Sequence, residues 1–196
     1  MPARDTFSMA IVILSQVMFP GVVSTVSVSP KSAAASARIA VAQDHSLVFA
    51  LERHDRQPAT VVTTGRVLEM TDTYDGWTLV VAGIQRAHML NCHHQGQALV
   101  GQFRYAADAE ETIPPLLIEE AWALASELSA MVRESASPWG LPQSPTPLSY
   151  WIAAHVPLSA PTQQELLEIA STRGRLAKEI SLMRTLLDGL RTEHSG

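Results

Sequence analysis

Apolar positions change their period partway along this chain of 196 residues. Up to about residue 112 they fall into short runs rich in Val, Ile, Thr and aromatic side chains, separated by turn residues. The runs are Ile11–Leu14, Val22–Val28, Leu47–Leu51, Val61–Met70, Trp77–Val81 and Ala98–Tyr105. Such side chains suit a pleated, half-buried surface, so each run predicts a strand. Tyr74-Asp75-Gly76 lies between two of them and predicts a hairpin, because Asp-Gly tolerates the positive φ of tight turns. One helix is predicted inside this β half, over 31–43, with Ser29 as N-cap and Pro30 at the first helical position.

From about residue 113 the spacing becomes helical. Leu117, Trp122, Leu124, Ala125, Leu128, Met131 and Val132 recur at intervals that favour one helix face, behind Pro114-Pro115. Residues 135–147 hold Pro138, Pro142, Pro145 and Pro147 together with Gly140, which predicts a loop, since proline removes a donor and restricts its predecessor. Thr146-Pro147 restarts a helix, Pro157 ends it, and Ser159 with Pro161 starts another. The terminal helix, within 171–193, is expected to bury Leu176, Ile180, Met183, Leu186, Leu187 and Leu190 and to turn Arg175, Lys178, Arg184 and Asp188 outward. This order predicts an α+β chain, with a β-rich N-terminal lobe over 1–112 and a helical C-terminal lobe over 113–196.

Four segments carry a resemblance in a consistent order. Trp151-Ile-Ala-Ala-His155-Val-Pro157-Leu158 leading into Gln164-Glu165-Leu166-Leu167-Glu168 resembles the helical half of a Lon protease N-terminal domain. Ile11–Leu14 followed by Phe19-Pro20-Gly21 resembles that family's opening strand and Phe-Pro-Gly turn, although Val12 and Ser15 stand where prolines are usual. Thr64-Gly65-Arg66-Val67 and Gly83-Ile84-Gln85-Arg86 resemble its inner strand segments. The resemblance implies a twisted, partly closed PUA-like pseudo-barrel for the N-terminal lobe. It also implies a substrate-recognition role in a family whose full-length members add an ATPase and a serine-lysine peptidase.

Charge and chemistry narrow this further. A net charge of −5, with Lys31 and Lys178 the only lysines, disfavours nucleic-acid binding driven by phosphate neutralisation. One cysteine, Cys92, allows no internal disulfide. The apolar stretch Met9–Val23 is interrupted by Ser15, Gln16 and Pro20-Gly21, so it reads as a buried strand and turn rather than a signal or a span, and a cytoplasmic location is expected. A phosphate loop is absent: Gly174 to Lys178 lacks the second glycine that lets backbone N–H groups wrap a phosphate. Neither lysine is placed beside a serine in an apolar setting, as a serine-lysine dyad would require. His88, Cys92, His93 and His94 are good ligand types, but adjacent residues on an extended segment point alternate ways and no second ligand pair follows. They are expected to form an exposed polar turn, and neither metal nor cofactor is expected.

Binding remains. Trp122 and Trp151 sit at helical spacing and are expected in the core. Trp139 lies in the proline-rich loop, where a large apolar side chain is either pinned to a neighbouring surface or offered to a partner. Phe19, Pro20, Trp139 and Trp151 are the candidate peptide-contacting residues. The expected function is a non-catalytic protein- or peptide-binding module that takes apolar segments into a groove between the lobes, with a separate ATP-dependent protease and a second copy of the chain as expected partners. The alternative is RNA binding through Arg53, Arg56, Arg66, Arg86 and Arg104, which concentrate in the β lobe.

Overall fold

A computed structural model describes residues 6–28, 35–36, 38–39, 44–53, 55, 57–74, 76–131 and 141–193. The chain divides into two compact units, Met1–Ala107 and Asp108–Gly196. The first contains β1 (Thr6–Leu14), β2 (Val23–Val28), β3 (Ser46–Leu51), β4 (Val61–Thr73), β5 (Gly76–Gln95) and β6 (Ala98–Tyr105). The second contains α1 (Pro115–Met131), α2 (Pro145–His155), α3 (Ala160–Glu168) and α4 (Thr172–Glu193). The α+β class expected from the change of period is therefore what the chain adopts. Ser29 and Pro30 lie outside the described residues; within 31–43, residues 35–36 and 38–39 are helical.

The strands follow the order β2-β5-β4-β3-β1-β6, and β6 pairs again with β5. β1, β3, β4, β5 and β6 thus close into a ring, with β2 added on the first half of β5. Closure leaves fewer free backbone donors and acceptors than an open sheet of the same strands. β1 and β3 run parallel, and the other pairs are antiparallel. Alternation along β1 and β3 serves two clusters: Ala10, Val12, Leu14, Leu47 and Phe49 pack with Val26, Val67, Leu79 and Val81, while Ile11, Val48 and Ala50 pack with Val62, Ala87 and Phe103. Apolar cover on both faces is why these two strands read as unbroken hydrophobic runs.

β5 is far longer than its apolar core predicts. Its first part pairs with β2 from Val23↔Ala82 to Val28↔Trp77, and its second part pairs with β6 from Ala87↔Tyr105 to Gln95↔Ala98. His88, Cys92, His93 and His94 are accordingly strand residues, and the turn falls after them at Gly96-Gln97. The expectation of a polar turn there fails because register with β6, which is apolar, holds the polar stretch extended. Thr73 pairs with Gly76, so a two-residue connection joins β4 to β5.

Two motifs that lie some 60 residues apart in the chain form one contact. The turn after β1 is bonded to the sheet by Gly21 N–H to Gly83 O (2.9 Å), Gly83 N–H to Val22 O (2.9 Å) and Thr63 Oγ1–H to Met18 O (2.6 Å). The Phe19 carbonyl lies so near that a Cβ on Gly83 would stand 2.1 Å from its oxygen. Gly65 is similarly enclosed, its virtual Cβ 2.7 Å from the Phe49 ring and 2.8 Å from Ala82 O. Backbone atoms cannot swing aside as side chains do, so the glycines in both inner-strand motifs are steric requirements.

Gly83→Ala is therefore expected to destabilise the chain by about 3 kcal/mol in urea unfolding, as overpacking against backbone does. Gly189→Ala, in a helix where an added Cβ meets nothing, is expected to stabilise by roughly 0.5–1 kcal/mol.

Candidate functional site

In the helical unit α1 and α4 lie side by side in the same direction. The pairs Glu120–Arg184 and Glu127–Arg191 repeat every seven residues on both helices, which only parallel neighbours allow. Between them Ala121, Ala125 and Leu128 meet the buried face Leu176, Ile180, Met183 and Leu187 of α4. Leu186 and Leu190 are partly buried against the same cluster. α3 starts at an N-cap, Ser159, whose hydroxyl accepts from Thr162 N–H, as the Ser-x-Pro spacing predicts. Glu111 arrives at the start of α4 from a distant segment: its carboxylate accepts from Arg173 N–H (2.9 Å) and from Ser171 O–H (3.0 Å). The Arg173 backbone bond, helped by Ser171, holds this exposed carboxyl below its usual pKa.

Against expectation, α4 buries a charged pair of positions. Arg175 and Glu179, one helical turn apart, are both 0% exposed. Arg175 Nε–H donates to Ser149 Oγ (2.6 Å), Nη1 to Ile169 O (2.8 Å) and Asp108 Oδ1 (3.4 Å), and Nη2 to Thr172 Oγ1 (3.3 Å). Its guanidinium stacks over the Tyr150 ring at 4.0 Å, while Tyr150 O–H donates to Asp108 (2.8 Å). Ser149 O–H in turn donates to Glu179 Oε1 (2.9 Å). A planar fork with five donors can serve acceptors from α2, α4 and the segment at Asp108 at once, which is why arginine rather than lysine suits a buried position. The outward assignment of Arg175 fails because the helical stripe facing α2 is polar, and periodicity of apolar residues does not register it.

Surface apolar side chains form the other candidate. Leu68 (56% exposed), Met70 (40% exposed) and Tyr74, which is fully exposed, fall on the distal half of β4 and the connection after it. Leu116, Trp122 and Met131 are exposed on α1, so the core position expected for Trp122 is not the one observed. The helix turns Ala121 and Ala125 inward instead, small residues that let α1 approach α4 closely. Trp151 is half-buried, packed on the helical core with its ring stacked on His155 at 4.3 Å. His155 Nδ1 lies 2.8 Å from the Trp151 carbonyl, which can only accept.

Phe19 is 0% exposed and Pro20 is buried, so the candidate peptide-contacting turn is instead a brace that ties β1 and β2 to Gly83. Trp139 lies outside the described residues. Of the arginines considered for RNA, Arg86 is buried and donates to Ala107 O, and Arg66 is paired with Asp44. Arg53 is exposed, Arg104 is half-buried and Arg56 lies outside the described residues. Among the described residues, no three of His, Cys, Asp or Glu converge as a metal site would require. Lys178 is paired with Glu165 on the surface.

Comparison with known proteins connects this geometry to a family. The profile of the ATP-dependent protease La (LON) substrate-binding domain matches residues 8–185. The chain belongs to that family. Its fold is shared with the N-terminal domain of Mycobacterium avium complex Lon protease, at 20% identity and a TM-score of 0.74, covering 91% of this chain and 98% of that one. A Lon N-terminal domain protein from Xanthomonas campestris is 21% identical, with a TM-score of 0.66 over 89% of this chain and 98% of that one. No curated protein matches the sequence.

Within this Lon substrate-binding fold, no helix among the described residues is long and apolar enough to cross a membrane. The β4 apolar positions were missed in the sequence because Val61–Met70 reads as one strand of uniform character. Only the polar run Thr71-Asp72-Thr73 beyond it signals that its far end leaves the core. The Arg175 network is expected to dominate the stability of the helical unit. Arg175→Met should cost about 3 kcal/mol in chemical unfolding, because it strands the groups it serves. Arg175→Lys should recover little of this, and Arg184→Ala, on an exposed ion pair, should cost under about 1 kcal/mol.

Proposed function

We propose that this chain is a non-catalytic protein- and peptide-binding module that recognises exposed apolar segments of protein substrates for an ATP-dependent protease, with ATPase and peptidase chemistry supplied by other modules. The observation that carries this reading is the match of residues 8–185 to a domain defined by substrate binding. The two lobes, 1–112 and 113–196, act in this reading as one recognition domain.

The binding contribution comes from apolar side chains already held at the surface. Leu68, Met70 and Tyr74 offer contact area on a hairpin whose backbone is committed to the β4–β5 ladder. β2 stands at the end of the pairing order, bonded to β5, and its outer edge suits an extended segment that adds as a further strand. Trp151 and Trp139 are further contact candidates, whereas Phe19 and Pro20 serve the fold. Apolar contact with few charged anchors favours broad specificity and modest affinity, as suits a recogniser of unfolded chains. Cytoplasmic residence, self-association and partnership with an ATP-dependent protease belong to the same reading.

The purified chain should retain a reduced, carboxymethylated polypeptide, but not the same polypeptide in its native fold, equally at low and high salt. Replacing Leu68, Met70 and Tyr74 together by serine is expected to weaken that binding about five- to thirty-fold, the effect of losing one to two kcal/mol of anchor contacts. Retention of RNA at low salt with loss at high salt, and no preference for unfolded chains, would overturn the proposal in favour of nucleic-acid binding.

A further inference from the structure

The buried network of the helical unit contains one cation and two carboxyl groups. Arg175 spends its donors on Ser149, Thr172, Ile169 O and Asp108, and it is Asp108, at 28% side-chain exposure, that pairs with it. Glu179 is left with a single donor, the Ser149 hydroxyl, on Oε1; its Oε2 is buried and has no hydrogen-bond partner among the described residues. An ionised carboxylate has about four acceptor sites to satisfy, and one neutral donor falls well short of that need.

Charged groups on the surrounding elements are exposed or engaged elsewhere. On α1, Glu120 and Glu127 pair with Arg184 and Arg191, and Arg191 also meets Asp188. On α3, Glu165 pairs with Lys178, and Glu168 accepts from Gln164. On α2, Tyr150 faces Asp108, and His155 is exposed at the far end against Trp151. Glu111 caps the start of α4 through Arg173 N–H. Among the described residues, Arg175, held through Ser149, is the one that brings positive charge to bear on Glu179.

We propose that Glu179 makes the packing of α2 on α4 proton-linked: the folded helical unit holds it as a neutral carboxylic acid, and its ionisation loosens that contact. Burial is the main cause; the Ser149 hydrogen bond and the Arg175 charge act the other way without overcoming it, and the carboxyl is pushed up to about 8 from 4.5. The unfolded chain gives up this proton above about pH 4.5, whereas the folded unit keeps it until about 8. The folded state therefore binds more protons across that window. Its stability falls as pH rises through the window, and the loss is complete once both states are ionised.

Urea unfolding of the full chain and of Glu179→Gln, from pH 5 to 9, tests this. Glutamine keeps the shape and cannot ionise. The ratio of the wild-type unfolding constant to that of E179Q should climb by about tenfold per pH unit through the window, the slope for one proton, and level off above it. A ratio that stays constant with pH overturns the proposal. Should E179Q fail to fold, the carboxyl carbons of the wild-type glutamates read by NMR decide the matter. One that titrates near pH 8 supports a neutral Glu179, and none titrating above about pH 6 refutes it.

Discussion

Every backbone donor and acceptor that folding removes from water must find a partner, and in the β unit that requirement is met by one strand with three neighbours. β5 gives its first half to β2, its second to β6, and most of its length to β4. A strand of 20 residues can change partners only by bending, and irregularities in register at Thr64/Gly65, Val67/Glu69 and Met89/Asn91 accompany the change. The turn after β1 then reaches the ladder at Gly83, where the absent side chain admits the Phe19 carbonyl. Remove that access and the turn joining β1 to β2 loses the bonds that tie it to β5.

The helical unit solves a different problem. Its apolar seam between α1 and α4 follows the usual seven-residue spacing, and its ion pairs on the rim repeat at the same interval. The contact of α2 with α4 is instead polar at its centre, with Ser149 bridging Arg175 and Glu179. Burying charge there costs desolvation that a purely apolar layer would avoid, and arginine offsets it only by serving four acceptors together. Such a layer admits few alternative registers, because a slip of one residue would strand several polar groups at once.

The family and its fold were legible in the sequence for physical reasons. Phe19-Pro20-Gly21 and Gly83-Ile84-Gln85-Arg86 are recognisable because each residue has a steric or hydrogen-bonding duty: Gly83 admits a carbonyl, and Arg86 holds the chain leaving β6 through Ala106 N–H and Ala107 O. Helix ends were legible because Ser159 and the prolines act locally. The exposure of the candidate contact residues was not. Phe19 looked like a surface anchor because turns are commonly exposed, and Trp122 looked like core because tryptophan is commonly buried. In both cases the deciding fact was a neighbour remote in sequence.

By itself the sequence determined the change from strands to helices, the apolar seam of α4 and the helix start at Ser159, since these depend on local periodicity and on local capping. Tertiary structure alone decided which strands close the ring, that the His88–His94 stretch is ladder rather than turn, and that Arg175 and Glu179 face inward. Those outcomes rest on partners outside each segment, from 5 residues away at His94↔Leu99 to 98 at Thr6↔Arg104, whose hydrogen bonds and charges outweigh the local preference of the segment they meet.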